Sequence, residues 1–194
     1  MFLEKTMSLA LKGSKTEKNL LKAFAGESQA RNRYTYFAEQ ARKEGLAYIA
    51  MVFEEIANQE KEHAKRFFSF LEGGNVEIQA TFPAGRVGFT LDNLQAAACG
   101  EHEEYSNLYP EFARIAAEEG FLAISKVFEF ISVAEKNHEE RYRDLIIKLK
   151  NDFFKCESLI TWYCLNCGYT HEGKEAPKAC PACACGQYVF AALG

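Results

Sequence analysis

The feature that most constrains this chain is that its helical part occurs twice. Gly26 and Glu27 match Gly100 and Glu101. One inserted residue later, at a constant offset of 75, Tyr34 matches Tyr109, Phe37 and Ala38 match Phe112 and Ala113, and Glu44 and Gly45 match Glu119 and Gly120. The series continues with Val52, Phe53 and Glu54 against Val127, Phe128 and Glu129, then with Ile56, Glu60 and His63 against Ile131, Glu135 and His138. From Lys15 to Phe154 apolar residues recur at steps of three and four, with breaks near Gly45, between Gly73 and Thr90, and near Gly120, which predicts four helices. A helical hairpin present in two copies can pack face to face on its copy about a pseudo-two-fold axis, so the expected fold is mainly α, a four-helix bundle. The stretch from Gly73 to Gly88 carries Gly73, Gly74, Pro83, Gly85 and Gly88 and reads as a long irregular link between the hairpins. Pro110 falls inside the third helix and is expected to kink it.

Each copy holds one Glu on its first helix and a Glu-x-x-His pair on its second: Glu27 with Glu60 and His63, then Glu101 with Glu135 and His138. An i, i+3 spacing places Glu and His on one helix face, within reach of the same or adjacent metal ions. Helical Glu residues are ordinarily solvated, but these sit in the apolar stripes. The second helix runs Ile49, Val52, Phe53, Ile56, Glu60, His63, Phe67, Phe70, and the fourth runs Ile124, Val127, Phe128, Ile131, Glu135, His138, Tyr142, Leu145. Glu27 lies between Leu20, Phe24 and Tyr34, and Glu101 between Leu94, Ala97, Tyr105 and Leu108. Burying four carboxylates without cations costs several kcal/mol each, and bound metal removes that objection. The pattern is that of carboxylate-bridged dimetal bundles, with iron or manganese suited to ligands rich in oxygen with two imidazoles. Glu54, Glu62, Glu118, Glu139 and Glu140 lack this placement and read as surface charge, and His102 projects away from the axis. Glu104 breaks the repeat: it follows Glu101 by three on the same face, where the first hairpin has Ala30. It is either one half of a surface pair or a seventh ligand that makes the two metals unequal.

The 194 residues, 48% apolar and 26% charged, are enough for one core and a small appendage, and exclude a disordered or fibrous chain. A formal charge of -4 without like-charge runs argues against a nucleic-acid partner. No stretch approaches the ~18 consecutive apolar residues of a membrane span, and Met1 to Lys22 is interrupted by Glu4, Lys5, Lys12 and Lys15, unlike a signal peptide. No membrane partner and a cytoplasmic location are therefore expected.

Of the seven cysteines, Cys99 stands alone and six fall between Cys156 and Cys185. In a reducing compartment such clustering points to metal. After Phe154 the helical period ends, so the domains are expected at 1–154 and 155–194. Cys164-x-x-Cys167 and Cys180-x-x-Cys183 form two knuckles with Gly168 after the first and Pro181 within the second, a thiolate set for zinc or one iron. About forty residues bury too little surface to fold unaided, so the metal is structural. Trp162, Tyr163, Tyr169 and Phe190 supply an expected aromatic core, Cys185 is an extra thiol able to compete as a ligand, and Cys156 and Cys99 read as buried apolar residues.

Glu27, Glu60-x-x-His63, Glu101-x-x-Glu104, Glu135-x-x-His138 and the cysteine pairs resemble the rubrerythrin family over nearly the whole chain. The resemblance implies a ferritin-like di-iron bundle followed by a rubredoxin-like domain with one iron on Cys164, Cys167, Cys180 and Cys183. It implies that Glu104 is a redox-dependent ligand, one iron moving between it and His63, and that Tyr34 and Tyr109 hydrogen-bond ligand carboxylates or substrate. The implied activity is that of a peroxidase of the NADH peroxidase type, reducing hydrogen peroxide to water in oxidative-stress defence. Electrons would arrive from reductase or rubredoxin proteins and pass through the tail iron; no GxGxxG fingerprint marks a nucleotide site on the chain itself. A homodimer is implied, because one chain's tail must approach a di-iron site. The alternative is a ferritin-like ferroxidase or iron-storage protein, which shares six ligands but needs neither Glu104 nor the tail.

Overall fold

The computed structural model describes residues 10–193; Glu4 and Lys5, used above against a signal peptide, lie outside them. Helix α1 spans Lys15–Lys43 and α2 Ala47–Phe68; α3 (Thr90–Glu103) runs through a π-helical segment, Glu104–Leu108, into α4 (Tyr109–Glu118), and α5 spans Leu122–Lys150. Helix α1 packs along α2, and α3 with α4 packs along α5, giving the two hairpins of the repeat. Gly45 and Gly120 close them at φ of 73° and 86°, left-handed values that a Cβ disfavours. No helix among the described residues is long and apolar enough to cross a membrane.

The hairpins are tied together at their ends by a reciprocal pair of caps. Glu119, at the turn of the second hairpin, accepts from the backbone of Lys15 (3.1 Å) and Thr16 (2.8 Å) and from the Thr16 hydroxyl (2.7 Å). Glu44, its equivalent, accepts from the backbone N–H of Thr90 at 3.0 Å. Each turn glutamate thus satisfies N–H groups that the first helix of the other hairpin leaves unpaired, and places a negative charge at its dipole.

The core is two aromatic layers related by the same pseudo-symmetry. Tyr34, Phe37, Phe53 and Tyr142 pack at ring separations of 5.2–6.2 Å in one. Tyr109, Phe112, Phe128 and Phe67 pack at 4.9–6.3 Å in the other. Each layer has its own apolar cluster, and the polar ligand set lies between them.

The third helix differs from expectation. Its disruption is the π segment, in which the Tyr109 backbone N–H reaches back five residues to the Glu104 carbonyl. Pro110 opens the helix that follows rather than simply kinking a continuous one. A π turn absorbs one residue beyond the α repeat, so this segment is where the offset between the hairpins changes from 74 to 75. Having no N–H, Pro110 cannot donate to the preceding turn; the Tyr105 carbonyl accepts instead from the Ser132 hydroxyl at 3.2 Å. The rephasing turns Leu108 outward, 38% exposed, and sends Tyr105 towards His102, whereas a straight helix would put both inside.

After α5, β1 (Lys155–Cys164), β2 (Thr170–Glu175) and β3 (Phe190–Leu193) form an antiparallel sheet in the order β2-β1-β3. Alternation along β1 buries Trp162 and Cys164. Tyr163 therefore lies on the opposite face and is no part of the tail's core, which consists of Trp162, Cys164, Ala176, Cys180, Val189 and Phe190 with Tyr169 at its edge. The tail rests on the α1–α2 turn, where Phe153 packs on Tyr48 and Tyr188 lies beside Gly45.

Candidate metal centres

Four glutamates and a histidine that the sequence placed in apolar stripes are buried in the middle of the bundle: Glu27, Glu101 and Glu135 at 0%, Glu60 at 1% and His138 at 4% exposure. His63 joins them with its side chain 16% exposed. They form two overlapping groups whose donor atoms lie within 4.8 Å of one another, Glu27 with Glu60, His63 and Glu135, and Glu101 with Glu60, Glu135 and His138. Glu60 and Glu135 belong to both, as bridging carboxylates would. His63 Nδ1 lies 3.0 Å from Glu60 and 2.9 Å from Glu135; His138 Nδ1 lies 3.0 Å and 2.8 Å from the same pair.

Whether metal fits here is decided by atoms without partners. Glu27 Oε2, Glu60 Oε1, Glu101 Oε2, both Glu135 oxygens and His138 Nδ1 are buried without a well-aligned hydrogen bond, the closest approaches being the imidazole–carboxylate contacts of 2.8–3.0 Å just described. Leaving so many polar atoms unpaired costs about 1–3 kcal/mol each, and two cations between the bridging carboxylates would satisfy them together. Without the cations, protons take over part of that task. Burial, then the charges of Glu135 and Glu60, raises Glu27 well above the usual carboxylate range; burial and then Glu60 does the same to Glu101. Burial opposes protonation of the imidazoles, but hydrogen bonds to Glu135 and Glu60 raise His63 to about 10, and those to Glu101, Glu135 and Glu60 raise His138 to about 12. Burial would raise Glu60, yet its bonds to His138 and His63 hold it at about 2.

Around this set the two tyrosines act across the repeat. The Tyr34 hydroxyl donates to Glu101 Oε1 at 2.5 Å, and the Tyr109 hydroxyl donates to Glu27 Oε1. Each tyrosine of one hairpin therefore orients the glutamate of the other. Glu104 belongs to neither four-residue group. Its carboxylate lies over Gly26, whose hypothetical Cβ would be 3.8 Å from Glu104 Oε1, and it forms the inner wall of a cavity of about 1140 Å³ shared with Ala30, Tyr34 and Tyr109 and roofed by Phe82 and Pro83. Although half-exposed to that cavity, its carboxyl is enclosed enough that burial, then Glu101, Glu135 and Glu60, raises it well above the usual range.

The imidazoles are held unequally, which sequence reasoning missed. His138 Nε2 lies 3.0 Å from Gln59 Oε1, and Gln59 Nε2 lies 3.4 Å from Glu55, which Arg141 holds with two bonds of 3.0 and 2.8 Å. The signal was available as a break in the repeat: Gln59 and Glu55 correspond to Ala134 and Phe130. Three further expectations are corrected. Glu139 is buried rather than on the surface, 4% exposed, because Arg143 and His102 pair with it. Cys99 and Cys156 are exposed rather than buried. Glu62, Glu118 and Glu140 are exposed as expected, and Glu54 is half-buried with its carboxylate paired to Arg42 at the surface.

In the tail, Cys164, Cys167, Cys180 and Cys183 converge. Their sulfurs lie 3.5 Å (Cys164–Cys167), 3.6 Å (Cys167–Cys180) and 3.8 Å (Cys164–Cys183) apart. A tetrahedron with ~2.3 Å metal–sulfur bonds has edges of roughly 3.8 Å. The knuckles repeat each other in backbone detail. Cys164 N–H donates to the Tyr169 carbonyl and Cys180 N–H to that of Cys185; Gly168 N–H donates to Cys164 and Ala184 N–H to Cys180. Gly168 and Ala184 carry the left-handed φ, 79° and 59°. Cys185 thus takes the place of Tyr169 and closes the knuckle through its backbone, with its own sulfur outside the group of four. Its N–H also points to Cys183, whose thiol it holds down at about 6.

Comparison with known proteins places the whole chain. Residues 18–146 match the rubrerythrin family profile and residues 162–191 the profile of the rubrerythrin rubredoxin-like domain. The chain is 56% identical over 186 residues to rubrerythrin of Nitratidesulfovibrio vulgaris, covering 95% of this chain and 97% of that protein. It is 58% identical over 185 residues to rubrerythrin of Porphyromonas gingivalis, covering 95% and 92%. Among solved structures, nigerythrin in a mixed-valence state matches with a TM-score of 0.64 at 33% identity, covering 100% of this chain and 92% of that one. Bacterioferritin of Desulfovibrio desulfuricans matches with a TM-score of 0.62 at 24% identity over 71% of this chain and 81% of that one, a likeness of fold alone. The chain belongs to the rubrerythrin family, with a ferritin-like bundle carrying a candidate di-iron carboxylate–histidine site and a rubredoxin-like tail carrying a four-cysteine metal site.

Proposed function

We propose that the protein is a non-haem di-iron peroxidase that reduces hydrogen peroxide to water, with electrons relayed through the tail iron. The observation that carries this reading is Glu104, an enclosed carboxyl with a raised pKa on the wall of a cavity that is also lined by Tyr34 and Tyr109, the tyrosines that hydrogen-bond Glu101 and Glu27. Reduction of one peroxide takes two electrons and two protons and yields two waters. Glu27, Glu60, His63, Glu101, Glu135 and His138 would hold two irons, and in the reduced form that pair would supply both electrons together, which avoids one-electron products. The chain's own residues handle position and protons. Tyr34 and Tyr109 fix Glu101 and Glu27, and Glu104, whose burial favours the protonated carboxyl, is placed to donate to the departing oxygen.

The tail has to be refilled from a reductase or rubredoxin partner, ultimately from a reduced nicotinamide nucleotide. The position of the tail favours a homodimer. It sits at the start of α2, and Glu60 lies thirteen residues further along that helix, roughly 20 Å at 1.5 Å per residue. Electron tunnelling falls steeply with distance, so a second copy that brings its tail to the middle of this bundle offers the shorter route.

The test is stopped-flow reoxidation of the anaerobically reduced protein by peroxide and, separately, by oxygen. The peroxide reaction should be much the faster and should be slowed by Glu104→Ala. A faster oxygen reaction would replace this reading by that of a ferritin-like ferroxidase.

A further inference from the structure

The repeat supplies an internal control for each ligand, because every residue beside one imidazole has a counterpart beside the other. His63 and His138 have matching Nδ1 surroundings, each within about 3 Å of Glu60 and Glu135. Their Nε2 surroundings differ. At His138 the acceptor is Gln59, fixed in turn by the Glu55 carboxylate and the Arg141 guanidinium. At His63 the equivalent of Gln59 is Ala134, half-buried, and no hydrogen bond reaches Nε2 among the described residues. The difference is chemical as well as steric: a carbonyl oxygen on Nε2 fixes the tautomer that carries its proton there and leaves Nδ1 with a lone pair for metal.

We infer that Gln59, backed by Glu55 and Arg141, is a positioning residue that holds the His138 imidazole and makes the Glu101–His138 half of the centre the one that binds metal first and more tightly. This role requires the dimetal centre and is independent of the peroxidase activity. The network cannot act on both halves. Gln59 lies on α2 and reaches across to α5, and the pseudo-two-fold mate of that bond would need a side chain at residue 134 of α5 long enough to reach α2. Arg141 also lacks a functioning mate, since its counterpart Arg66 stacks over Phe70 at 4.4 Å. The asymmetry is therefore carried by three residues of α2 and α5 that are not ligands.

Two substitutions with opposite expected outcomes test this, both read without peroxide. Cobalt(II) is titrated anaerobically into metal-depleted bundle sites of the full chain whose tail is already filled, following the ligand-field bands. The parent should fill its two bundle sites in resolved steps. Gln59→Leu should weaken the first step by about 10–100-fold, the usual effect of losing such a partner, and merge it with the second. Ala134→Gln should strengthen the second step and narrow the gap from the other side. The zinc-loaded protein gives an independent reading, helped by its having only four histidines. The Nε2–H proton of His138 should exchange slowly and that of His63 quickly. Gln59→Leu should make the first fast, and Ala134→Gln the second slow. Unchanged titration steps and unchanged exchange in both variants would overturn the assignment. Should Gln59→Leu fail to fold, Ala134→Gln decides alone: no gain in the second step and no slowing at His63 refutes the inference.

Discussion

Loading the bundle with metal should release protons, and the count follows from the site. In the metal-free protein His63 and His138 are held protonated to about 10 and about 12 by the carboxylates facing them. Both must lose that proton at Nδ1 to bind metal. At pH 7 two metals therefore displace at least two protons, with more from Glu27 and Glu101, whose carboxyls burial has raised. Two protons make the combined affinity for both metals rise about 100-fold per pH unit, or about 2.7 kcal/mol. The sign for the metal-free fold is the reverse. A histidine raised from 6.5 stabilises the fold fully below that value, and the contribution is lost as pH rises through the folded pKa, here about 10 for His63. Between pH 7 and 9 the metal-free bundle should lose stability while its hold on metal grows. The assay is an anaerobic iron(II) titration against a competing chelator at pH 7 and pH 8, with proton release measured in weak buffer and the tail site filled beforehand. Affinity independent of pH, or less than one proton released, would refute the view that the histidines carry the charge balance of the empty site.

Three other outcomes are expected. Glu119→Ala removes three hydrogen bonds at the start of α1, each worth about 1 kcal/mol; it should lower the thermal midpoint by several degrees, and Glu44→Ala, with a single backbone donor, by less. Tyr109→Phe leaves Glu27 Oε1 without its donor and should cost about 1–3 kcal/mol, read by denaturant unfolding of the metal-loaded protein, with both metals still bound. Ala184→Gly should stabilise the tail by about 1 kcal/mol, because residue 184 holds a left-handed φ of 59°; slower loss of tail metal to a chelator is the readout, and an unchanged rate would mean that the strain is absent.

Much of the site was legible because duplication compares a sequence with itself. Glu27, Glu60, Glu101, Glu135 and His138 occupy core positions in both copies, and a carboxylate repeated in a core stripe has few explanations besides metal. The four cysteines were legible because knuckle spacing is local. The same comparison located an inserted residue after Glu101, but periodicity could not say how the backbone would absorb it. That required the tertiary structure, in which Tyr109 donates back to Glu104 and the helix widens into a π turn. Leu108 and Tyr105 turned outward, contrary to their place in a straight helical stripe, for that reason. The burial of Glu139 is not legible in the sequence because it depends on Arg143 and His102 meeting it, one of them from another helix. Tyr163 lies outside the tail's core because strand alternation, not aromatic content, decides which face is inside.

What the sequence alone determined is the chemistry of the ligand set, the two hairpins and the cysteine knuckles, since each depends on spacing within one or two elements. What only tertiary structure decided is every relation across the pseudo-two-fold: which tyrosine orients which glutamate, which turn caps which helix, and which histidine Gln59 holds. Those contacts join residues far apart in the chain, and hydrophobic periodicity fixes only which face of a helix is buried, not which side chain on the opposite helix it will meet.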